Sequence, residues 1–270
     1  MTCARFIKVC KPEFQYINLN FWGEILDVYK IKFINKSEIE IDDETLEFVW
    51  NYLSCLYKNG QILEGYEIIK SCENEFFSHV TLSGDDALNE ANNNIYLNKH
   101  VENLSKNFEI HFELIGENMN TEKGCTCESP SWYILYADYV TTESPIICGD
   151  CGKSVPPYKL PHIRHGEHFD LISWQRDYNC IRGLWFSCLS DRFTVNQLHN
   201  PNSQLSKGGR DICKKFEELT GKPFYYYLFQ NKRTSKKCPV CHGEWKLLET
   251  ELFIDYKCEK CRLVAEQKQI

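Results

Sequence analysis

The sequence predicts an α+β protein: an N-terminal ferredoxin-like (split βαβ) domain, then a zinc-stabilised α+β region that ends in a C-terminal zinc ribbon. Three observations predict it. Hydrophobic periodicity over residues 28–115 switches between the strand and helix repeats in the order β-α-β-β-α-β. After residue 124 the chain changes character, to cysteine pairs, proline turns and basic residues. Two of those pairs, Cys238-x-x-Cys241 and Cys258-x-x-Cys261, have 16 residues between them, within the spacing of a four-thiolate zinc site. The expected organisation is an acidic α/β sandwich over 1–118, a zinc-knuckle and helical region over 119–230, and the ribbon over 231–270.

The elements follow in order. Ala4 to Val9 is a short candidate strand. Val28 to Ile34 alternates Tyr29, Ile31 and Phe33 against Val28, Lys30 and Lys32, the repeat of a half-buried strand. Asp42 and Asp43 offer an N-cap, Leu46, Val49, Leu53 and Leu56 follow at helical spacing, and Gly60 closes that helix. Ile62–Ile69 and Phe76–Leu82 read as strands, Asp85–Lys106 as a helix with a break near Asn92–Asn94, and Phe108–Ile115 as a strand. Glu117–Gly124 is polar and reads as a linker. Trp174, Tyr178, Ile181, Trp185 and Cys188 form one stripe of a helix spanning Phe169–Leu189. Ser206–Thr220 is a second helix, stopped by Gly221 and Pro223. Phe224–Phe229 is an aromatic strand, and Asn231–Lys237 a basic connector.

Composition bounds the function. The 270 residues are 43% hydrophobic and 26% charged, which excludes fibrous and disordered classes. No run of ~18 apolar residues can cross a membrane, and Met1–Cys10 does not read as a secretory signal. Fifteen cysteines, an odd number in a long chain, suit a reducing cytoplasm, where clustered thiols hold metal more often than each other. Net charge is −7, unevenly spread: residues 1–120 carry 10 basic and 20 acidic groups, residues 121–270 carry 21 and 18. An acidic half disfavours generic nucleic-acid binding and favours a basic protein partner, or simple solubility.

A CxxC turn aims two thiolates at one point, and two such turns complete the tetrahedral set of a structural zinc. Cys238, Cys241, Cys258 and Cys261 are therefore expected zinc ligands, with Trp245, Leu247, Leu248, Leu252, Phe253, Ile254 and Tyr256 forming the hairpin between them. Cys125, Cys127, Cys148 and Cys151 make a second expected site, with 20 residues between its arms. Its CxC arm is a less common knuckle, and the alternative leaves Cys125 and Cys127 as loop thiols. A closed four-cysteine site has no open position for water or substrate, so both sites argue for structure rather than hydrolysis. Among the seven remaining cysteines, Cys55, Cys188 and Cys213 lie in apolar helical segments and read as buried and inert.

Other constellations are weaker. His162, His165 and His168 stand three apart, but Pro161 and Gly166 oppose a regular helix, so a polar loop is the simpler reading. His165-Gly-Glu167 with Cys238-Pro-Val-Cys241 departs from the zinc deaminase signature in the place of the proline, the length of the gap, and the completion of the metal set by Cys258 and Cys261. Lys232, Arg233, Lys236 and Lys237 adjoin Tyr225, Tyr226 and Tyr227, a pairing that suits single-stranded nucleic acid or a solvated loop. Nucleotide-binding glycine loops and serine-nucleophile elbows are absent from the sequence.

The C-terminal half carries Cys148-Gly-Asp-Cys151-Gly, Val155-Pro-Pro-Tyr158-Lys-Leu-Pro161, Trp174-Gln175 with Tyr178, Leu205-Ser206 with Gly209-Arg210, and Pro223-Phe-Tyr-Tyr-Tyr227-Leu. The series continues in Lys237-Cys-Pro-Val-Cys241, Glu244-Trp245 and Cys258-Glu-Lys-Cys261-Arg-Leu-Val264. On these motifs, over about 125–265, the chain resembles a bacterial zinc-ribbon family of unknown function that carries a nucleic-acid-binding label. The resemblance implies the zinc ligands, and an immunity role, since similar proteins stand beside polymorphic toxin genes. The expected function is a cytoplasmic, non-catalytic zinc protein that binds a basic, toxin-like protein partner, with nucleic-acid binding as the alternative and an enzyme site around His162–His168 as a third class.

Overall fold

The computed structural model describes residues 24–36, 43–63, 66–71, 75–139, 142–230, 237–247 and 252–267. The candidate strand at Ala4–Val9, the residues Asp42, Cys3, Cys10 and Cys72, and the basic residues Lys232, Arg233 and Lys236 lie outside them.

The N-terminal elements are β1 (Leu26–Asn35), α1 (Asp43–Lys58), β2 (Ile69–Lys70), β3 (Glu75–Thr81), α2 (Ile95–Asn107) and β4 (Phe108–Asn118). The strands form one antiparallel sheet in the order β2-β3-β1-β4. Alternation decides its faces. Ile31 and Phe33 of β1 point inward with Phe76 and Val80 of β3, and meet Val49, Leu53 and Leu56 of α1 and Leu97 and Leu104 of α2. Lys30 and Lys32 share the opposite face of β1.

Two expected elements are shorter than the periodicity suggests. Among the described residues of Ile62–Ile69 only Ile69 is in a strand, Ile69–Lys70; Ile62 makes a single bridge to Leu82 and is buried as a loop residue. Asp85–Lys106 breaks where expected, at Asn93–Asn94, because asparagine side chains cap two separate starts, but its first part is only a short turn. Asn89 accepts from Ala91 N to open a single 3-10 turn at Glu90–Asn92, and Asn94 accepts from Leu97 N to open α2.

The second half contains β5 (Tyr133–Leu135), β6 (Ile146–Cys148), α3 (Phe169–Phe186), α4 (Asp191–His199), α5 (Gln204–Thr220), β7 (Phe224–Tyr227), β8 (Lys246–Leu247), β9 (Tyr256–Cys258) and β10 (Leu263–Ala265). They build one six-stranded sheet in the order β6-β5-β7-β10-β9-β8. Its centre is parallel, β5 with β7 and β7 with β10, and its margins are antiparallel hairpins. The expected helical region and the C-terminal segment from residue 237 therefore share a sheet, with β7 of the first beside β10 of the second.

Central parallel strands are covered on both faces, and β7 follows that rule. Phe224 and Tyr226 face Phe216 of α5 and Trp174 of α3, while Tyr225 and Tyr227 face Trp132 and Tyr136. All three tyrosines are buried. The expected aromatic strand is thus real but ends at Tyr227, and it presents no ring face to a nucleic-acid base. Lys237, the described member of the basic run, is exposed and bridges to Glu244.

The polar stretch Glu117–Gly124, expected as a linker, is tied down. Thr121 is buried, its Oγ1 accepts from Leu26 N at 3.3 Å, and Lys123 N donates to Glu24 O at 2.7 Å. The acidic segment after Gly84 is also engaged. Asp85 pairs with Lys123 at 3.4 Å, and Asp86 pairs with Lys159 at 3.3 Å and accepts from the Tyr158 hydroxyl at 2.5 Å. Although burial opposes it, the Tyr158 hydrogen bond and the Lys159 charge hold the Asp86 carboxyl below its ordinary range. These groups join the two sheets, and two further hydrogen bonds, His168 N to Lys58 O (2.9 Å) and the Asn94 side-chain amide to Gly166 O (2.7 Å), add to the seam.

Candidate metal centres

Two groups of four cysteines stand close enough to hold metal ions: Cys125, Cys127, Cys148 and Cys151, and Cys238, Cys241, Cys258 and Cys261. Within each group every sulfur lies within 4.8 Å of every other. A tetrahedron of thiolates at a metal–sulfur distance of ~2.3 Å has sulfur–sulfur edges of ~3.8 Å. The Cys241 and Cys258 sulfurs are 3.7 Å apart, which fits. All twelve described cysteines are free thiols, so neither group is a pair of disulfides.

The first group is built on the β5–β6 hairpin. Cys148 closes β6 opposite Tyr133, and the turn that follows returns Cys151 toward it. Two glycines make this turn possible. Gly149 lies flat against Trp132, where an added Cβ would stand 2.2 Å from the indole ring. Gly152 has φ +75° and donates from its N to Cys148 O at 2.9 Å. The CxC arm reaches the site because Cys125 N donates to Ser154 O at 2.7 Å, and Cys127 N then donates to Cys125 Sγ at 3.3 Å.

The second group joins the Cys238–Cys241 turn to the β9–β10 hairpin. Cys238 N donates to Gly243 O at 2.8 Å, and His242 N to Cys238 O at 2.9 Å. All three CxxC turns share one backbone device. The residue after the second cysteine is left-handed in each: Gly152 at +75°, His242 at +57° and Arg262 at +51°. Two non-glycine residues holding positive φ is a local strain, and its position directly after each ligand pair ties it to the shape of the thiol turn.

The electrostatics fit a cation at each centre. Burial pushes the thiols of Cys125 and Cys261 up, and the neighbouring sulfurs add to it. The Gly243 amide pulls Cys241 down to about 7. Burial also pushes Cys148 and Cys258 up, against backbone N–H groups of Cys151, Asp150 and Cys261 that favour their thiolates. Four acceptors crowded together, partly buried and fed by amide donors, compete for a single negative charge until a metal neutralises them. His242 stands at the site without being needed to complete it.

Sequence spacing missed what lies between the two groups. The Lys257 ammonium stands 3.9 Å from the centre of Trp132 and 4.4 Å from that of Tyr225. Arg262 pairs with Glu217 of α5 through two nitrogens at 3.0 and 2.9 Å, and donates to Tyr225 Oη and Glu259. These residues come from three segments of the chain, around Trp132, Glu217–Tyr225 and Lys257–Arg262, so no local pattern announces them.

The three histidines do not converge. His165 is exposed. His162 and His168 lie with ring centres 4.6 Å apart, and His162 Nε2 sits 2.8 Å from Asn59 Oδ1. His168 is 2% exposed, and neither ring nitrogen has a hydrogen-bond partner among the described residues. Burial drops its pKa to about 3, with His162 contributing, so it is neutral at ordinary pH. Among the spare thiols, Cys55 and Cys213 are buried as expected, but Cys188 is exposed. It lies past the end of α3 with φ +55°, so the helical stripe stops before reaching it.

No helix among the described residues is long and apolar enough to cross a membrane. Residues 127–229 match a domain of unknown function, DUF2310, and residues 229–267 match another, DUF8594. Neither description mentions a zinc ribbon. Two curated relatives, each called an uncharacterized protein, come from Haemophilus influenzae strain Rd. One is 30% identical over 236 residues, covering 80% of this chain and 86% of its own length. The other is 30% identical over 167 residues, covering 57% of this chain and 80% of its own. With that identity sustained over most of both chains, this protein belongs to the family of the first Haemophilus influenzae relative, with its DUF2310 domain placed over residues 127–229.

Proposed function

We propose that the chain is a non-catalytic, cytoplasmic zinc protein that binds a basic protein partner, and that it does so as an immunity protein neutralising a toxin. Zinc is the metal that a closed set of four thiolates in a hairpin-and-knuckle setting suits best, and such a site stabilises a fold rather than activating water. The all-antiparallel order β2-β3-β1-β4 supports a ferredoxin-like N-terminal layer, and the Cys238–Cys261 hairpin supports a zinc ribbon.

One observation carries the partner. On the outer face of α1, Trp50 is 53% exposed in a groove lined by Asp43, Leu46, Glu47 and Ile68. An exposed tryptophan flanked by carboxylates fits an apolar anchor next to a lysine or arginine. The Asp85–Asp86 segment is engaged within the chain, which leaves the α1 face as the acidic surface of choice.

The test is recovery of the tagged protein from its host at physiological salt, with and without nuclease, followed by association kinetics on the recovered protein. Trp50→Ala should weaken binding by about tenfold, and Glu47→Lys should slow association and flatten its salt dependence. Unchanged binding in both variants removes α1 from the interface. Recovery of nucleic acid that nuclease destroys would overturn the reading in favour of Lys232, Arg233, Lys236 and Lys237 as contacts. That alternative is weakened by the burial of Tyr225, Tyr226 and Tyr227.

A further inference from the structure

β4 is the longest strand of its sheet, with 11 residues, and among the described residues one of its edges is unpaired. Every residue from His111 to Glu117 is exposed. The exposure has a geometric cause. Phe108, Ile110, Phe112 and Leu114 point to the helix side, level with Asn35, Phe33, Ile31 and Tyr29 of β1. Phe108 is buried, whereas Phe112 is 46% and Leu114 57% exposed. The second half of the strand thus carries an uncovered apolar shelf beside a row of unused backbone donors and acceptors, a combination that natural edges ordinarily avoid.

We propose that this edge is a homodimer interface, in which β4 pairs antiparallel with β4 of a second copy across a two-fold axis at Phe112. The charge pattern of the strand is complementary to a second copy of itself in one register. With the axis at Phe112, the helix-side pairs are Phe112 with itself and Ile110 with Leu114, and the opposite face pairs His111 with Glu113 twice, each Glu113 also holding Lys32 of its own chain at 2.6 Å and each His111 standing 3.5 Å from its own Glu109. Moving the axis to His111 sets Glu109 against Glu113, and moving it to Glu113 sets that carboxylate against its own copy. Both put like charges directly opposite, which is destabilising. A bulge, where the β1–β4 register shifts between Val28 and Tyr29, ends the regular edge just past Leu114. The pairing is short and symmetric, and joins two four-stranded sheets into a continuous one. It leaves the α1 face free, so it stands or falls independently of the partner proposed above.

Sedimentation velocity of the full, metal-loaded chain over a wide range of concentration tests it. The wild type should show a monomer–dimer equilibrium. Phe112→Asp should raise the dimer dissociation constant by about tenfold or more, and His111→Glu by about fivefold through like-charge repulsion with Glu113. His111→Lys should tighten the dimer. All three changes are at exposed positions, and unchanged metal content and melting temperature would certify the fold. A monomer at every concentration overturns the proposal, including one whose β4 amides resist hydrogen exchange because another segment of the same chain covers them. A dimer indifferent to both Phe112→Asp and His111→Glu also overturns it, since its axis then lies elsewhere.

Discussion

Lys257 holds its ammonium 3.9 Å from the centre of the Trp132 indole, and so links the strand that ends in Cys258 to the residue that wedges the Cys148–Cys151 turn. Trp132 also meets Tyr225 edge to face at 5.3 Å. The two thiol centres are therefore braced by one aromatic–cation stack. Trp132→Ala should cost about 3 kcal/mol in urea unfolding. Lys257→Met, which keeps the stem and loses the charge, should cost about 1 kcal/mol. Trp132→Ala should also speed chelator removal of metal from the Cys238–Cys261 centre, although Trp132 contributes no ligand to it. Equal chelation rates would show that the two centres are independent.

The two four-cysteine groups predict a stoichiometry. Purified protein should carry two zinc ions per chain by native mass spectrometry. Cys258→Ser should leave one, and so should Cys127→Ser. Loss of the first centre should still leave the second protected from thiol titration. A thiolate-bound structural metal contributes on the order of 10 kcal/mol to a small module, so stripping both ions should abolish cooperative unfolding of the second half.

Gly149 offers a steric test. An alanine there brings a methyl group to 2.2 Å from Trp132, so the ring or the turn must move. Gly149→Ala should destabilise by about 1–3 kcal/mol and weaken retention of the first metal, whereas Gly221→Ala, with nothing near its Cβ, should show only the backbone cost of φ +68°.

His168 predicts a pH dependence. Its pKa falls from an ordinary 6.5 to about 3 on folding. Between those values the unfolded chain binds a proton that the folded chain does not, so stability declines as pH falls from 6.5 toward 3. At pH ~5 the loss from this group is about 2 kcal/mol. His168→Phe, which keeps a ring against Phe216 and leaves no buried nitrogen unpartnered, should flatten the denaturation midpoint between pH ~7 and ~5. An unaltered slope would assign the acid sensitivity to other groups.

The eight thiols were legible in the sequence because ligand geometry is written in local spacing, as Cys258-x-x-Cys261 shows. Helix α5 was equally plain from Ile212 and Phe216 on its buried stripe and Gly221 at its end, although it starts at Gln204, capped by Ser203, rather than at Ser206. Helix α4 was not, because only Thr194 and Leu198 of its residues are buried and no apolar stripe forms. The six-stranded sheet was hidden for a different reason. β5, β7 and β10 pair in parallel across gaps that no periodicity spans, so the burial of Tyr225 and Tyr227 on a second face could not be read from their own segment. The ties of Asp85 and Asp86 were not legible in their own segment, because their partners, Lys123, Tyr158 and Lys159, lie far downstream in the second half of the chain.

The place of β10 beside β7 has a consequence during synthesis. On the ribosome, β7 emerges with β5 on one side and nothing on the other, and its second neighbour is not made until Leu263–Ala265 leave the tunnel. For that interval an aromatic strand presents a bare edge, the kind of surface that aggregates or recruits chaperones. Chains stopped before Leu263 should accumulate as insoluble material even with every other strand in place, and metal supplied to the nascent Cys238–Cys261 group should shorten the exposure by drawing β9 and β10 onto the sheet as soon as Cys261 is free.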